Sequence, residues 1–303
     1  MKTIEACNLC GSGERRMRYR QRDLTFPGRD AREYEIFECV GCGLFYLSPQ
    51  AETLEELLRI YPQDYEAYAF SRRWVMALRR LSWRRELRSL LAVTAPESRI
   101  LEVGCATGEF LELLRRHGRP HVQGIELNPE AAAHARQRYG LDVRDGDLLD
   151  ADLPAGAYDL IIMRHVLEHV SDPLTTLRRI HALLAPGGRL VVSLPNPDSL
   201  DARVFGATWR GHEVPRHFYN FPRRTLAAYL QKAGLRLERE DHSVFPNDWI
   251  VSTRYWLTDR GWTAAAKFFS LGNPVALVAF APLGLLSGLL RRSTQVRYVA
   301  VRP

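Results

Sequence analysis

The sequence predicts a doubly wound α/β sheet with a small four-cysteine module at its N-terminus and an apolar helical insert before the last strand. Three observations predict it. The stretch "SRILEVGCATGEFLELLRRHG" reads as strand, glycine loop and helix, and alternating strand and helix patterns follow it. Two Cys-x-x-Cys pairs, "CNLCG" and "CVGCG", precede residue 50. An uncharged apolar run, 268–290, stands between two strand-like segments near the C-terminus. The expected organisation is a module over 1–50, a helical linker or cap over 51–97, and a main domain over 98–303 whose insert covers about 249–292.

A chain of 303 residues, 46% hydrophobic and 25% charged, builds a core large enough to need no disulfide staple. The net charge is +7, nearly all from arginine, because Lys2, Lys232 and Lys267 are the only lysines. That balance suits an anionic partner, or reflects a simple bias toward arginine. The start "MKTIEACNLC" has no apolar core of a signal peptide, so the expected setting is the reducing cytoplasm, with peripheral attachment to the inner face of the membrane left open.

Each cysteine pair ends in glycine, which frees the turn to aim backbone N–H groups at sulfur. Cys7, Cys10, Cys39 and Cys42 can supply the four thiolates of a tetrahedral Zn²⁺. Four sulfurs leave no open position, so such a site is structural. Between the pairs, "REYEIFECV" alternates like a hairpin arm.

In the main domain, Arg99 to Val103 is a short apolar strand, and Gly104 to Gly108 is a turn of small residues before a helix. The Gly-x-x-x-Gly spacing is not Gly-x-Gly-x-x-Gly, which argues against nicotinamide and flavin chemistry. The next strand, in "HVQGIELNPEAAAHA", ends at Glu126, where a carboxylate can accept both ribose hydroxyls of an adenosine. Asp147 in "GDLLD" stands where an adenine amino group can be met. "AYDLIIMRHVLEHV" gives a fourth strand running into a helix, and "LLAPGGRLVVSLPN" a helix end, a turn and a fifth strand.

These elements, with a last strand near 296–301, resemble a class I S-adenosylmethionine-dependent methyltransferase. "LEVGCATG" is similar to that family's first motif, which implies Glu102, Gly104 and Gly108 around the methionine end of S-adenosyl-L-methionine, Glu126 at its ribose and Asp147 at its adenine. The cysteine pairs ahead of such a domain resemble the zinc module of some methyltransferases of sugars and secondary metabolites. "PRHFYNFPRRTLAAYLQKAGL" also resembles the segment after the fifth strand in that group.

Methyl transfer needs a nucleophile within about 3 Å of the methyl carbon and a base for its proton. His165 and His169, four residues apart where a helix is expected to start, would share a face, with Glu168 beside them. Their His-x-x-Glu-His pattern resembles the Glu-x-x-Glu-His of metal-assisted O-methyltransferases, but the histidine at 165 is a poor ligand for a hard ion such as Mg²⁺. After the fifth strand, Trp209, His212, Arg216, His217, Phe218 and Tyr219 fall over the expected substrate opening. His217 is the first candidate base and His165 the second. Trp209, His212, Arg216 and Tyr219 are the candidate substrate contacts. Cys105, the only cysteine outside the pairs, lies in the cofactor loop, which argues against cysteine-assisted methylation of pyrimidine carbons.

Residues 71–91 should be a helix with seven arginines among tryptophan and leucine, suited to a membrane interface, an anionic substrate or a cover on the cofactor crevice. The run 268–290 is long enough to span a bilayer, but the strands on either side belong to one sheet, so one crossing would part them. Pro274 and Pro282 are expected to break the run into short helices. Its apolar face then meets its own domain, a second subunit in a homodimer, or a membrane surface. The functional expectation is O-methylation of a small-molecule hydroxyl on a sugar, glycolipid or secondary metabolite. RNA methylation and a non-catalytic cofactor-binding scaffold are the alternatives.

Overall fold

The cysteine-bearing chain pairs its alternating strands before any helix appears. A computed structural model describes residues 1–30, 32–61 and 83–303. Strands β1 (Arg15–Gln21), β2 (Tyr34–Cys39) and β3 (Phe45–Ser48) form an antiparallel meander, followed by helix α1 (Leu54–Ile60). The basic helix expected over 71–91 lies outside the described residues up to 82; helix α2 covers 83–91.

The main domain then alternates. β4 (Ile100–Val103) leads through the glycine loop to α3 (Glu109–Arg116), β5 (Val122–Glu126), α4 (Pro129–Tyr139), β6 (Asp142–Asp145) and β7 (Tyr158–Arg164). α5 (Pro173–Leu183), β8 (Leu184–Pro195) and α6 (Leu200–Phe205) come next, then the two-residue strand β9 (Tyr219–Asn220), α7 (Arg223–Lys232) and β10 (Arg236–His242). The insert holds α8 (Asn247–Asp259), α9 (Thr263–Ala266) and α10 (Pro274–Leu289), and β11 (Gln295–Val301) closes the sheet. The seven strands run in the order β10-β11-β8-β7-β4-β5-β6. β4 to β8 are parallel, and β11 is antiparallel to both its neighbours.

All four residues of β4 are buried, as a strand covered by helices on both faces requires. One apolar cluster fills each face of the sheet: Phe110, Leu111 and Leu114 of α3 on one side, Leu177, Ile180 and Leu183 of α5 on the other. α4 shows how the sequence sets its own boundary. Asn128 accepts from the N–H groups of Glu130 and Ala131, Pro129 takes the first turn, and Gly140 ends the helix at φ +62°.

The N-terminal module is not a separate body. β9, from the loop after α6, adds a fourth strand beside β3. Leu9, Tyr34, Ile36 and Tyr46 share one core cluster with Phe218, Phe221 and Tyr229. Arg216, 1% exposed, locks the two parts together. Its guanidinium donates two 2.8 Å bonds to Asp23 and a 3.2 Å bond to Glu213.

Two expectations about local structure change. Pro282 does not break the apolar run, because it sits on the exposed side of α10, where the carbonyl freed by its missing N–H lies away from the domain. Pro274 takes the first helical turn rather than interrupting it. The Pro-Gly-Gly turn before the fifth strand is absorbed into β8 as an irregularity, where pairing with β7 jumps from Tyr158–Leu184 to Leu160–Arg189.

Breaking a buried ion pair on one side leaves an uncompensated charge. Asp23→Ala should therefore lower unfolding free energy by about 3 kcal/mol, read from urea titration. A change below about 0.5 kcal/mol, the range of ordinary surface substitutions, would count against Arg216–Asp23 as the tie.

Candidate active site

The glycine loop lies at the carboxyl end of β4, where the fold opens its crevice. Gly104 at φ +70° packs so closely that a Cβ would meet Val166 Cγ2 at 2.4 Å, and Gly108 at φ +78° would meet Ala135 Cβ at 2.7 Å. Glu126, at the end of β5, accepts from the N–H of Ala106 at 2.8 Å and of Asn128 at 2.9 Å, so the carboxylate is held against the loop. Glu102 is wholly buried and pairs with Arg164 at 2.9 Å, while its Oε2 has no hydrogen-bond partner among the described residues. Burial raises its carboxyl above the ordinary range despite Arg164. Asp147 is exposed, and its Oδ1 accepts from Leu149 N–H at 2.8 Å.

These residues fit S-adenosyl-L-methionine by their donor sets. An unpartnered buried carboxylate oxygen stands in the loop's own strand, and a second carboxylate closes the next strand. The sequence expectation grouped Glu102, Gly104, Gly108, Glu126 and Asp147; Glu102 lies in β4, the glycines in the loop that follows it, Glu126 at the end of β5, and Asp147 just past the end of β6, where Gly146 N–H donates to the Glu126 carbonyl at 3.0 Å.

At the end of β7 the expectation of one helical face for His165 and His169 fails. His165 takes φ +56°, the left-handed region, and only a 3-10 turn, Leu167–His169, follows before Asp172 caps α5. The two imidazoles therefore diverge. His165 stays exposed, and its Nδ1 lies 3.3 Å from Oε1 of the wholly buried Glu168. His169 turns inward, its Nδ1 3.0 Å from the carbonyl of Arg216 and 2.7 Å from the Tyr61 hydroxyl.

Glu168 Oε2 is buried without a hydrogen-bond partner among the described residues. Burial works to raise this carboxyl and is the largest single influence, but the hydrogen bond from His165 and the fields of His169, His165 and His217 together outweigh it and hold Glu168 below the ordinary carboxylate range.

His217, the first candidate base, is 7% exposed. Its ring meets that of His169 edge-on at 4.6 Å, and its Nδ1 donates to the Gly211 carbonyl at 2.7 Å. Glu213 Oε2 lies 3.7 Å from its Nε2. Glu168, His169 and His217 each bring one ligand atom within 4.8 Å of the others, a cluster the local sequence pattern could not show because His217 comes from a distant loop. Two imidazoles and one carboxylate do not fit Mg²⁺, which demands oxygen ligands, and the same chemistry argues against Mg²⁺ at His165, Glu168 and His169.

The four expected substrate contacts all lie in the interior. Trp209 donates its indole N–H to Asp201 at 3.0 Å, and its ring packs so tightly on Gly211 that a Cβ there would come within 2.1 Å. His212 pairs with Asn220 at 3.1 Å, and Tyr219 donates to the Ser171 carbonyl at 3.1 Å. Arg216 faces Asp23 and Glu213. Each has a structural partner that accounts for its burial.

Away from the crevice, the four cysteine sulfurs lie within 4.8 Å of one another, with Cys7–Cys42 and Cys10–Cys39 at 3.5 Å. A tetrahedron on bonds of about 2.3 Å sets its sulfurs about 3.8 Å apart, so the donor set fits Zn²⁺. Both turns have the same form. Gly11 at φ +74° donates to the Cys7 carbonyl and Gly43 at φ +82° to that of Cys39, each at 2.8 Å. Burial pushes the Cys7 thiol up to about 11, so ionising it near neutral pH calls for a cation's field.

Comparison with known proteins follows the same lines. A family described as a methyltransferase domain matches residues 76–240, more than half of the chain. A ubiquinone biosynthesis O-methyltransferase of Xanthomonas axonopodis pv. citri is 35% identical over 153 residues, covering 46% of this chain and 64% of that protein. The chain thus spans less than two thirds of the curated relative it matches. Among solved structures, the [4+2]-cyclase SpnF superposes with a TM-score of 0.56 at 20% identity, covering 84% of this chain and 98% of that one. A geranyl diphosphate C-methyltransferase from Streptomyces coelicolor A3(2) gives 0.52 at 16% identity, covering 84% and 88%. At these identities the likeness is of fold.

Burial lowers His169 and His212 to about 4, so both are neutral when folded near pH 7. An unfolded histidine titrates near 6.5, so between about 4 and 6.5 the unfolded chain binds more protons. Stability is then complete above about 6.5 and falls as pH drops, by up to about 1.4 kcal/mol per pH unit for each histidine. Urea midpoints at about pH 7 and about pH 5 should show the fall, and His212→Gln should flatten it.

Proposed function

Because the chain belongs to the methyltransferase-domain family and has the class I S-adenosylmethionine-dependent fold, we propose that it O-methylates a hydroxyl of a small molecule, such as a sugar, glycolipid or secondary metabolite. The observation that carries the reading is the His165–Glu168 pair. A buried carboxylate fixes an exposed imidazole at the carboxyl end of β7, on the sheet edge that holds the glycine loop. The name of the O-methyltransferase relatives supports oxygen as the accepting atom.

S-adenosyl-L-methionine, when bound, supplies an electrophilic methyl group on sulfur. Glu102, Gly104, Gly108 and Glu126 are the residues that would hold it, with Asp147 toward its adenine. His165 then has a defined task. A carboxylate can only accept, so Nδ1 carries the proton that bonds Glu168, and Nε2 keeps its lone pair for a substrate hydroxyl. Glu168 is a positioning residue that fixes this tautomer and steadies the imidazolium formed. His169 and His217, turned inward, pack behind Glu168.

The test is transfer of labelled methyl from S-adenosyl-L-methionine to a metabolite extract, followed by kinetics on the product's precursor. His165→Gln should lower kcat about 10²- to 10⁴-fold with little change in cofactor affinity. Glu168→Gln should lower kcat less, again with KM for the cofactor little changed. Unchanged turnover in His165→Gln would eliminate the imidazole from the mechanism.

We also propose that Cys7, Cys10, Cys39 and Cys42 hold a structural Zn²⁺. The paired 3.5 Å sulfur contacts and the two equivalent glycine turns support it. Elemental analysis should give about one zinc per chain, and Cys39→Ser should lose it along with thermal stability, since the module shares its core with the main domain. Metal retained at full occupancy in Cys39→Ser would refute the assignment.

A further inference from the structure

Helix α10 is built inside out. Its buried stripe is made of small residues: Ala276, Gly284 and Ser287 are covered, and Gly284 sits so close to the 244–246 backbone that a Cβ would come within 2.6 Å of the Val244 carbonyl. Its large aliphatics point outward. Val275, Val278, Leu285 and Leu289 recur at helical spacing along one exposed stripe, with Leu286 and Leu290 on the next; Val278 is 75% and Leu289 81% exposed. A water-facing helix would place these the other way round, and a contiguous apolar face of this size marks a contact.

The surroundings say what covers it. From Arg260 to Pro303 the chain holds no acidic residue and six cations. Just past the end of α10, Arg203, Arg223, Arg291 and Arg292 line a cavity of about 270 Å³ with Asp198, Glu240 and His242. Glu240 serves both Arg223 at 2.6 Å and Arg291 at 2.8 Å, whereas the guanidinium groups of Arg203 and Arg292 have no carboxylate partner among the described residues. Two copies facing each other through this helix across a two-fold axis would bring like charges together. An anionic sheet of phosphates answers both features. At 16 residues the helix is about 24 Å long, shorter than the roughly 30 Å of a bilayer's apolar core, and no described helix is long and apolar enough to cross. Trp262, 58% exposed, and Phe268 add aromatic surface of the kind that sits at headgroup depth.

We propose that α10 lies flat in the surface of an anionic bilayer, its aliphatic face among the acyl chains and the Arg203–Arg292 cavity against lipid phosphate. The insert leaves the sheet at His242 and returns at Val296, which pair with each other next to the carboxyl end of β8, so the bilayer would meet the sheet edge that carries His165. The proposal does not rest on which molecule is methylated.

Flotation tests it, using vesicles of phosphatidylcholine alone and with about 30% phosphatidylglycerol. The full chain should float with the anionic vesicles only and be released by about 0.5 M salt. Arg292→Ala and Arg203→Ala should each weaken binding about fivefold. The double variant Leu285→Asp/Leu289→Asp should abolish binding while keeping the wild-type circular dichroism, since both side chains already face solvent. Light scattering on the same samples follows the alternative occupant. Failure to float, flotation unchanged in these variants, equal binding to neutral vesicles, or a dimer that the double variant splits would each overturn the proposal.

Discussion

The site depends on one buried cation. Arg216 is taken out of water and held by Asp23 from the module and Glu213 from its own loop. A buried pair of this kind adds little net stability, because desolvation offsets most of the attraction, but it tolerates few alternative arrangements. Its carbonyl meets His169 and its chain neighbour His217 packs against that ring. One residue along, the Phe218 N–H donates to the Glu168 carbonyl at 2.8 Å. The position of Glu168 under His165 is therefore fixed from behind by a contact that begins in the N-terminal module. The four cysteines lie in that module, whose core is continuous with that of the main domain, so whatever holds their sulfurs together bears on the position of Glu168 through packing.

Of the four described non-glycine residues with positive φ, Glu213 and Arg291 lie in the 206–217 loop and at the end of α10, and the other two at the crevice. Two non-glycine residues at the crevice, Ala106 at φ +48° and His165 at φ +56°, adopt the left-handed region. Such backbone persists only where its surroundings over-determine it. His165 N–H donates to the Ser193 carbonyl on β8, and Ala106 N–H to Glu126 at the end of β5. Sheet register thus holds both turns. The left-handed backbone also keeps His165 out of the 3-10 turn, so its ring stays in solvent while Glu168 and His169 turn inward.

The sheet, its crevice and the cysteine cluster could be read from sequence because each is written in local pattern. β4 is an apolar run, the glycines lie at fixed offsets from it, and Glu126 ends the next strand. The segment 209–219 misled because a loop rich in histidine, arginine and aromatic residues has the same composition whether it walls a pocket or fills a core. Only the partners tell them apart, and Asp23, Asp201 and Asn220 lie up to 193 residues away in sequence. His165 and His169 were misplaced for a different reason. The four-residue spacing implies a shared face only if a helix holds them, and the turn here is three residues long. The strand β9, two residues long, was beyond any periodicity argument.

The insert shows why so apolar a segment can sit inside a soluble-looking sheet without disturbing it. β10 and β11 are antiparallel neighbours, and His242 and Val296 lie side by side where the insert begins and ends. The connection is topologically a long hairpin loop. Closing a long loop between residues already paired costs little more than closing a short one, since the entropy grows only with the logarithm of length. The sheet therefore sets no limit on what the insert contains, and the insert need not contribute to the core. Its small-residue stripe serves close packing on α8 and the 243–246 chain, with Trp249 donating to Ser287 at 3.1 Å. That contact uses up the face a helix normally fills with leucine, which leaves the leucines for the outside. A helix that met only water on its outer side would carry the opposite arrangement, with its small residues outside and its leucines within.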